Sequence, residues 1–366
     1  MYIDNITRDY FSNIKQVFLY LGDKCNLLCE QCLYKPNVLL GKSISPELSM
    51  SLLREFRDLG AFKLTLLGGE VSLYDVENNN QGLINVLKYS KEIGYSYVRI
   101  DTNGQSDESF FRKEIMSHIN EVSFSLDGYD NHTNDSLRGN GAFSKALSNI
   151  NLSISTGINV QITACITKQN ASISNGIIPF VEKMIAFCEA LGVHHLNFHG
   201  VFKMGVPMDS WTGDSHLDPL EWLNAAGVIH QNIINKKYNI NVRFPLHLIP
   251  QNEFDKKPDY YGYCPCKKGE RALIHPDRTI RVCSSMLSTP YGVANFDSTS
   301  IVWNHYNNEL YNHDFTLHTP CTNQKLLYKN EIVPICFSIK PYQDEPVWNN
   351  QQMDSGVNNE NFILEC

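Results

Sequence analysis

Val17-Phe18-Leu19-Tyr20-Leu21 runs, after three residues, into Cys25-Asn26-Leu27-Leu28-Cys29-Glu30-Gln31-Cys32. The apolar run reads as a buried strand, and the loop after it holds three thiols at spacings of four and three. Soft sulfur donors this close together suit zinc or an iron-sulfur cluster. A structural zinc site wants four protein ligands, so the three are either half of a zinc knuckle or the holders of a cubane with one iron left open.

Outward from this loop the chain repeats one rhythm. A helix is expected over 46–59, with Leu48, Leu52, Leu53 and Phe56 on one face and Gly60 at its end. A strand at 63–67 then leads into Gly68-Gly69-Glu70. Further helices are expected at 81–93, 108–119, 143–155 and 177–191, and further strands at 97–100, 121–126, 160–167 and 195–199. Six strand-then-helix units in a row imply parallel pairing with right-handed crossovers. Each strand ends on an unusual group: the cysteines, Gly-Gly-Glu, Thr102-Asn103-Gly104, Asp127-Gly128, Thr167 and His199-Gly200. A ring of such groups at the C-terminal mouth is how barrels build sites, whereas an open sheet concentrates them at one switch point.

The expected fold class is therefore α/β, a partial (β/α)6 TIM-type barrel over 14–205 after a lead-in at 1–13. A bridging segment at 206–257 follows, with a helix near 218–236 and a strand near 239–244. Residues 258–342 form a small cysteine-rich α+β auxiliary domain, and 343–366 a polar, Asn- and Gln-rich tail.

Composition narrows the function. The chain has 366 residues, 19% charged, with a net charge of −8 and no basic block, which disfavours nucleic acid and anionic membranes as partners. No apolar run reaches bilayer length and no signal peptide opens the chain, so a cytoplasmic location is expected. Eleven cysteines clustered at two places then read as metal ligands rather than as a disulfide framework. Cys366 is not four residues from the end, which excludes a prenylation signal.

Taken in order, these motifs resemble the radical SAM superfamily. The resemblance implies that Cys25, Cys29 and Cys32 hold a [4Fe-4S] cluster whose open iron binds S-adenosyl-L-methionine. It implies that Gly68 and Gly69 let the backbone approach the methionine moiety, that Glu70 contacts its amino group, and that Thr102 and Asn103 face the sugar and sulfonium region. Ser125-Leu126-Asp127-Gly128 with Arg138 is similar to a pattern in which serine and arginine hold the carboxylate, a task suited to the guanidinium fork. Each motif alone is an ordinary turn or surface residue; their order at the ends of successive strands carries the resemblance. In one departure, Gln31 stands where the family has an aromatic residue near adenine, and Tyr34 is the ring offered in its place.

A second constellation, Cys266-Lys267-Lys268-Gly269, Leu273 to Arg278, Val282-Cys283 and the stretch from Tyr291 to Trp303, resembles SPASM and twitch domains. It implies an auxiliary [4Fe-4S] cluster on Cys266, Cys283, Cys321 and Cys336, with Cys264 as a spare; a zinc-stapled or reduced lobe is the alternative. In 160–167, alternation puts Gln161, Thr163, Cys165 and Thr167 on one face, turned inward in a helix-wrapped barrel. Cys165 is then either a small core residue or a hydrogen-atom donor to a substrate radical, a role thiols fill in family epimerases. His194, His195 and His199 read as structural histidines, with His199 placed to touch substrate.

The activity the resemblance implies is reductive cleavage of S-adenosylmethionine to a 5'-deoxyadenosyl radical that takes hydrogen from a substrate. A peptide or protein substrate, crosslinked, epimerised or oxidised, is the first expectation; a small molecule such as a sugar is the second. A non-enzymatic iron-sulfur or zinc module is the alternative from another class. The implied partners are an electron donor such as flavodoxin or ferredoxin and, because only 24 residues precede Cys25, a separate leader-peptide-binding protein.

Overall fold

The computed structural model describes residues 1–32, 34, 41–201, 215–217, 221, 224–229, 232, 238–243, 247–250, 255–256, 268–283, 292–304 and 332–335. Strand β1, Tyr2–Ile3, and the helix Asn5–Tyr10 lead into β2, Gln16–Tyr20, whose five residues are all buried. After β2 come β3 (Lys63–Leu67), β4 (Tyr97–Thr102), β5 (Glu121–Ser125), β6 (Asn159–Ile166) and β7 (His195–Gly200), each parallel to the one before it. A further strand, β8 (Asn241–Arg243), adds to β7, again in parallel. The observed strand starts and ends lie within two residues of the expected ones.

The crossover helices form for the reasons the sequence offers. In Pro46–Asp58 the Ser45 hydroxyl accepts the N–H of Leu48, Pro46 starts the helix, and Leu48, Leu52, Leu53 and Phe56 are buried on the sheet. The helices Gln81–Glu92, Ala142–Ser155 and Pro179–Leu191 bury equivalent stripes. Two places depart from expectation. The helix expected at 108–119 is a 3-10 turn, Glu108–Phe111, and a short helix, Lys113–Met116, because Arg112 between them is extended at φ −70° and ψ 161°. The helix Asn131–Arg138 was not expected: only Asn134 is buried, so no apolar stripe betrays it. Its local signal is the reciprocal cap between Asp130 and Thr133.

The C-terminal strands are β9 (His247–Pro250), β10 (Arg271–Ile274), β11 (Thr279–Arg281), β12 (Ala294–Phe296), β13 (Ser300–Trp303) and β14 (Ile332–Ile335). The twelve-stranded sheet runs β1-β13-β12-β11-β10-β2-β3-β4-β5-β6-β7-β8, and β9 pairs with β14 apart from it. The sheet therefore has two ends, as a partial barrel requires. The hairpin expected to open the auxiliary domain is hydrogen-bonded to the barrel itself: β10 lies parallel on β2, with Arg271 opposite Gln16 and Ile274 opposite Leu19. Residues of the lead-in join the same sheet, Tyr2 pairing with Ser300. The expected bridging helix is seen at 224–229; the polar tail at 343–366 lies outside the described residues.

Inside the barrel the inward face is polar, as the alternation of 160–167 requires. Gln161 donates to Ser123 Oγ at 3.0 Å and Ser123 meets Thr163 at 3.2 Å. Beneath them Arg99 pairs with Asp101 at 2.7 Å and Glu121 at 3.9 Å, Glu121 approaches His195 at 3.5 Å, and Arg243 reaches His195 Nδ1 at 3.2 Å. Two arginines balance two carboxylates, and burial, aided by Arg243, pushes His195 down to about 2, so it is neutral. Val160, Ile162, Ala164 and Ile166 on the other face are fully buried in the main core.

Candidate functional site

The loop after β2 is held on its first side by β3. Leu21 N–H donates to the Leu67 carbonyl at 2.8 Å, Gly69 N–H to Gly22 O at 2.8 Å and Glu70 N–H to Lys24 O at 2.8 Å. The contact tolerates no side chain. A Cβ on Gly68 would lie 2.4 Å from Gly22 O, and one on Gly69 would lie 2.2 Å from Asp23 O and 2.3 Å from Lys24 O. The close backbone approach expected at these glycines is made to the cysteine loop of the chain itself.

Glu70 follows and is 4% exposed. Its Oε1 accepts the Thr102 hydroxyl at 2.7 Å and the Ser72 N–H at 3.0 Å, while Oε2 accepts the Asn103 N–H at 2.7 Å. The carboxylate thus clamps the ends of β3 and β4 together. Asn103, so fixed, points its amide at the loop: Nδ2 donates to Asn26 Oδ1 at 2.8 Å and approaches Cys25 Sγ at 3.5 Å. Leu27 N–H approaches the same sulfur at 3.4 Å.

On the other side stand β5, β6 and the helix Asn131–Arg138. Glu30 N–H donates to Leu137 O at 3.2 Å, and the Glu30 carboxylate accepts the Ser215 hydroxyl at 2.8 Å. Gln31 donates its amide to Asp127 Oδ2. Arg138 Nε lies 2.7 Å from the same oxygen, and its Nη1 lies 3.9 Å from Cys29 Sγ. Asp127 Oδ1 accepts the backbone N–H of Cys165 at 2.7 Å. Ser125 is half-buried at the C-terminal end of β5, opposite Thr163.

Below the loop lies an aromatic floor. Tyr34 is 7% exposed, donates its hydroxyl to Asp23 Oδ1 at 2.5 Å, and packs 5.2 Å from Tyr20, which stacks on His275 at 4.1 Å. Cys25 and Cys32 rest against this cluster with Phe18 and Leu273. Tyr34 is thereby built into the base of the loop, and its ring packs against Tyr20 and His275. Sequence reasoning did not single out Gln31 or Asn26 as tethers, or His275 as part of the floor; His275 is brought here only by β10 lying on β2.

The thiols feel their setting. Burial pushes Cys25 up and Cys32 up to about 11, with the neighbouring thiols adding to the shift. The same burial, with Asp127 beside it, raises Cys165 well above its usual value. Among the described residues no three His, Cys, Asp or Glu side chains converge closely enough to hold a single metal ion. The donor set fits an iron-sulfur cluster. Three mutually interacting thiols ring the loop, amide and guanidinium donors reach their sulfurs, and cationic iron would take the protons' place. Of the second constellation's cysteines only Cys283 is described, half-buried against the main core. Cys264, Cys266, Cys321 and Cys336 lie outside the described residues. His194 accepts the Val160 N–H at 3.2 Å, and His199 pairs with Asn197 at 2.7 Å. No helix among the described residues is long and apolar enough to cross a membrane.

Residues 19–172 match the radical SAM superfamily. GTP 3',8-cyclase of Actinobacillus pleuropneumoniae serotype 5b (strain L20) is 25% identical over 221 residues, 59% of this chain and 59% of its own. Fe-coproporphyrin III synthase of Methanosarcina barkeri (strain Fusaro / DSM 804) is 28% identical over 163 residues, 44% of this chain and 39% of its own. The matches thus span less than two thirds of either relative. Among solved structures, Streptococcus suis SuiB bound to S-adenosylmethionine aligns with a TM-score of 0.59 at 18% identity, over 76% of this chain and 62% of that one. The enzyme anSMEcpe with bound AdoMet and the Cp18Cys peptide aligns with a TM-score of 0.56 at 16% identity, over 77% of both chains. At these identities the likeness is one of fold.

Proposed function

Since residues 19–172 match the radical SAM superfamily of enzymes, we propose that the chain uses S-adenosylmethionine to modify a peptide or protein, at a side chain or an α-carbon. The observation that carries the reading is the loop of Cys25, Cys29 and Cys32, seated at the C-terminal mouth of a parallel barrel and gripped by the ends of β3, β4 and β5. When bound there, the cluster supplies the electron that splits S-adenosylmethionine into methionine and the 5'-deoxyadenosyl radical that attacks substrate.

The chain's own residues bind and orient. Cys25, Cys29 and Cys32 hold the cluster, and the floor of Tyr20, Tyr34 and His275 keeps water from beneath it. The Ser125 hydroxyl and the outer N–H groups of Arg138 take the carboxylate end of S-adenosylmethionine. The clamp of Glu70, Thr102 and Asn103 acts through the loop. Cys165 stands on the barrel wall as a protonated thiol, the form that gives up a hydrogen atom. The thiyl radical so formed returns to thiol with an electron and a proton, the electron from a flavodoxin or ferredoxin. Cys283 joins Cys266, Cys321 and Cys336 around an auxiliary [4Fe-4S] cluster in a SPASM- or twitch-like lobe.

A peptide substrate draws support from two solved structures of the same fold, SuiB bound to its precursor peptide SuiA and anSMEcpe bound to a peptide. A small-molecule substrate is the second reading, favoured by relatives whose names carry GTP and iron-coproporphyrin. The test is anaerobic turnover of the reconstituted full chain with deuterated candidates, following label into 5'-deoxyadenosine. Label from a peptide supports the first reading and label from a sugar or other metabolite the second. Tetrahedral zinc at the three cysteines, with no S-adenosylmethionine cleaved, would leave a non-enzymatic module.

A further inference from the structure

Asp127 is fully buried and is tied to the cysteine loop, β6 and the helix Asn131–Arg138. Its own N–H donates to Asn134 Oδ1 at 2.9 Å, which fixes the start of the turn against the helix that carries Arg138. An asparagine would keep one oxygen for the Cys165 N–H and set its NH2 against Gln31, whose amide can turn its unpartnered Oε1 to accept it. Arg138 is different. Its Nε is 2.7 Å from Asp127 Oδ2, so the contact joins two opposite charges. The same guanidinium lies 3.9 Å from Cys29 Sγ, with its side chain only 10% exposed. A cation this close to a ligand sulfur, in a poorly solvated site, favours an added electron on the cluster; a carboxylate bound to that cation opposes the effect.

We propose that Asp127 is a positioning residue that acts through Arg138, offsetting the charge the guanidinium brings to Cys29, so that the Asp127–Arg138 pair sets the reduction potential of the cluster at Cys25, Cys29 and Cys32. The inference rests on the radical SAM reading of those cysteines. It gives Arg138 a task on the cluster itself, separate from any contact with S-adenosylmethionine. It also predicts opposite effects for the two partners of one ion pair, which a purely structural tie does not.

The test is the cluster's potential in the anaerobically reconstituted full chain without S-adenosylmethionine, read by redox titration with EPR detection. Asp127→Asn leaves the guanidinium unopposed and shifts the potential upward. Arg138→Gln removes the cation and shifts it downward, and the double variant returns toward the parent. Both single variants moving the same way, or neither moving with the cluster loaded, overturns the proposal. If Asp127→Asn loads no cluster, Arg138→Lys and Arg138→Gln decide: a retained potential in the first and a lowered one in the second supports it, and equal potentials sink it. A parent protein that takes up no [4Fe-4S] cluster overturns the underlying reading instead.

Discussion

Glu70 follows β3 and Asp127 follows β5, on either side of β4, and both are buried carboxylates that tie the cysteine loop into the barrel. Glu70 accepts a hydroxyl and two backbone N–H groups, all neutral, so its role is geometric. Asp127 accepts one N–H and one amide but also faces a guanidinium that reaches on to Cys29. One flank therefore fixes the shape of the loop, and the other carries a charge pair into it. The two should fail in different ways when altered.

The largest effect falls on what both flanks serve: replacing Cys29 with Ser removes a cluster ligand, and iron content and S-adenosylmethionine cleavage should both be lost. Retained iron and turnover would dissolve the comparison altogether. Next comes the geometric flank. Gly69→Ala drives a methyl into Asp23 O and Lys24 O, and should cost about 3 kcal/mol in urea unfolding along with cluster retention. Glu70→Ala orphans three buried donors and should cost about 2 kcal/mol. If Glu70→Ala instead left stability intact while shifting the cluster's potential, the two flanks would not differ as described.

Charge elsewhere in the barrel gives a smaller effect with a definite sign. His195 is held neutral with a folded value of about 2, far below the ordinary 6.5. Below pH 6.5 the unfolded chain takes up a proton that the folded chain refuses, so stability is full above that value and declines as the pH falls toward 2. Between pH 7 and pH 5 the loss should be about 1 kcal/mol, discounted for partial exposure, and His195→Gln should flatten it. The least disturbance to the fold is expected from Cys165→Ala, within about 1 kcal/mol. Product formed per S-adenosylmethionine cleaved should nevertheless fall, and an unchanged ratio would remove this thiol from the chemistry.

The barrel was legible because its period is local: apolar runs announced each strand, and stripes closed by glycines such as Gly60 announced the crossovers except the one at 108–119, which breaks at Arg112. The three thiols were legible from spacing alone. What escaped was decided by contacts across long separations. Gln31 meets Asp127, Tyr20 meets His275, and β10 lies on β2, none of which leaves a periodic trace. Glu70 shows the same limit in reverse. Its position in Gly-Gly-Glu was plain, but only the fold shows its carboxylate accepting from Ser72, Thr102 and Asn103. The helix Asn131–Arg138 was missed because it stands on caps and polar contacts rather than on an apolar stripe.

The pairing of Arg271 with Gln16 sets a timetable for biosynthesis. The strand that presents the three thiols leaves the ribosome before its neighbour on one side, which is made about 250 residues later, and His275 arrives with it. Until then one edge of that strand and the face of Tyr20 stay open to solvent. The edge of the sheet that borders the three thiols is thus closed only once β10 has been made.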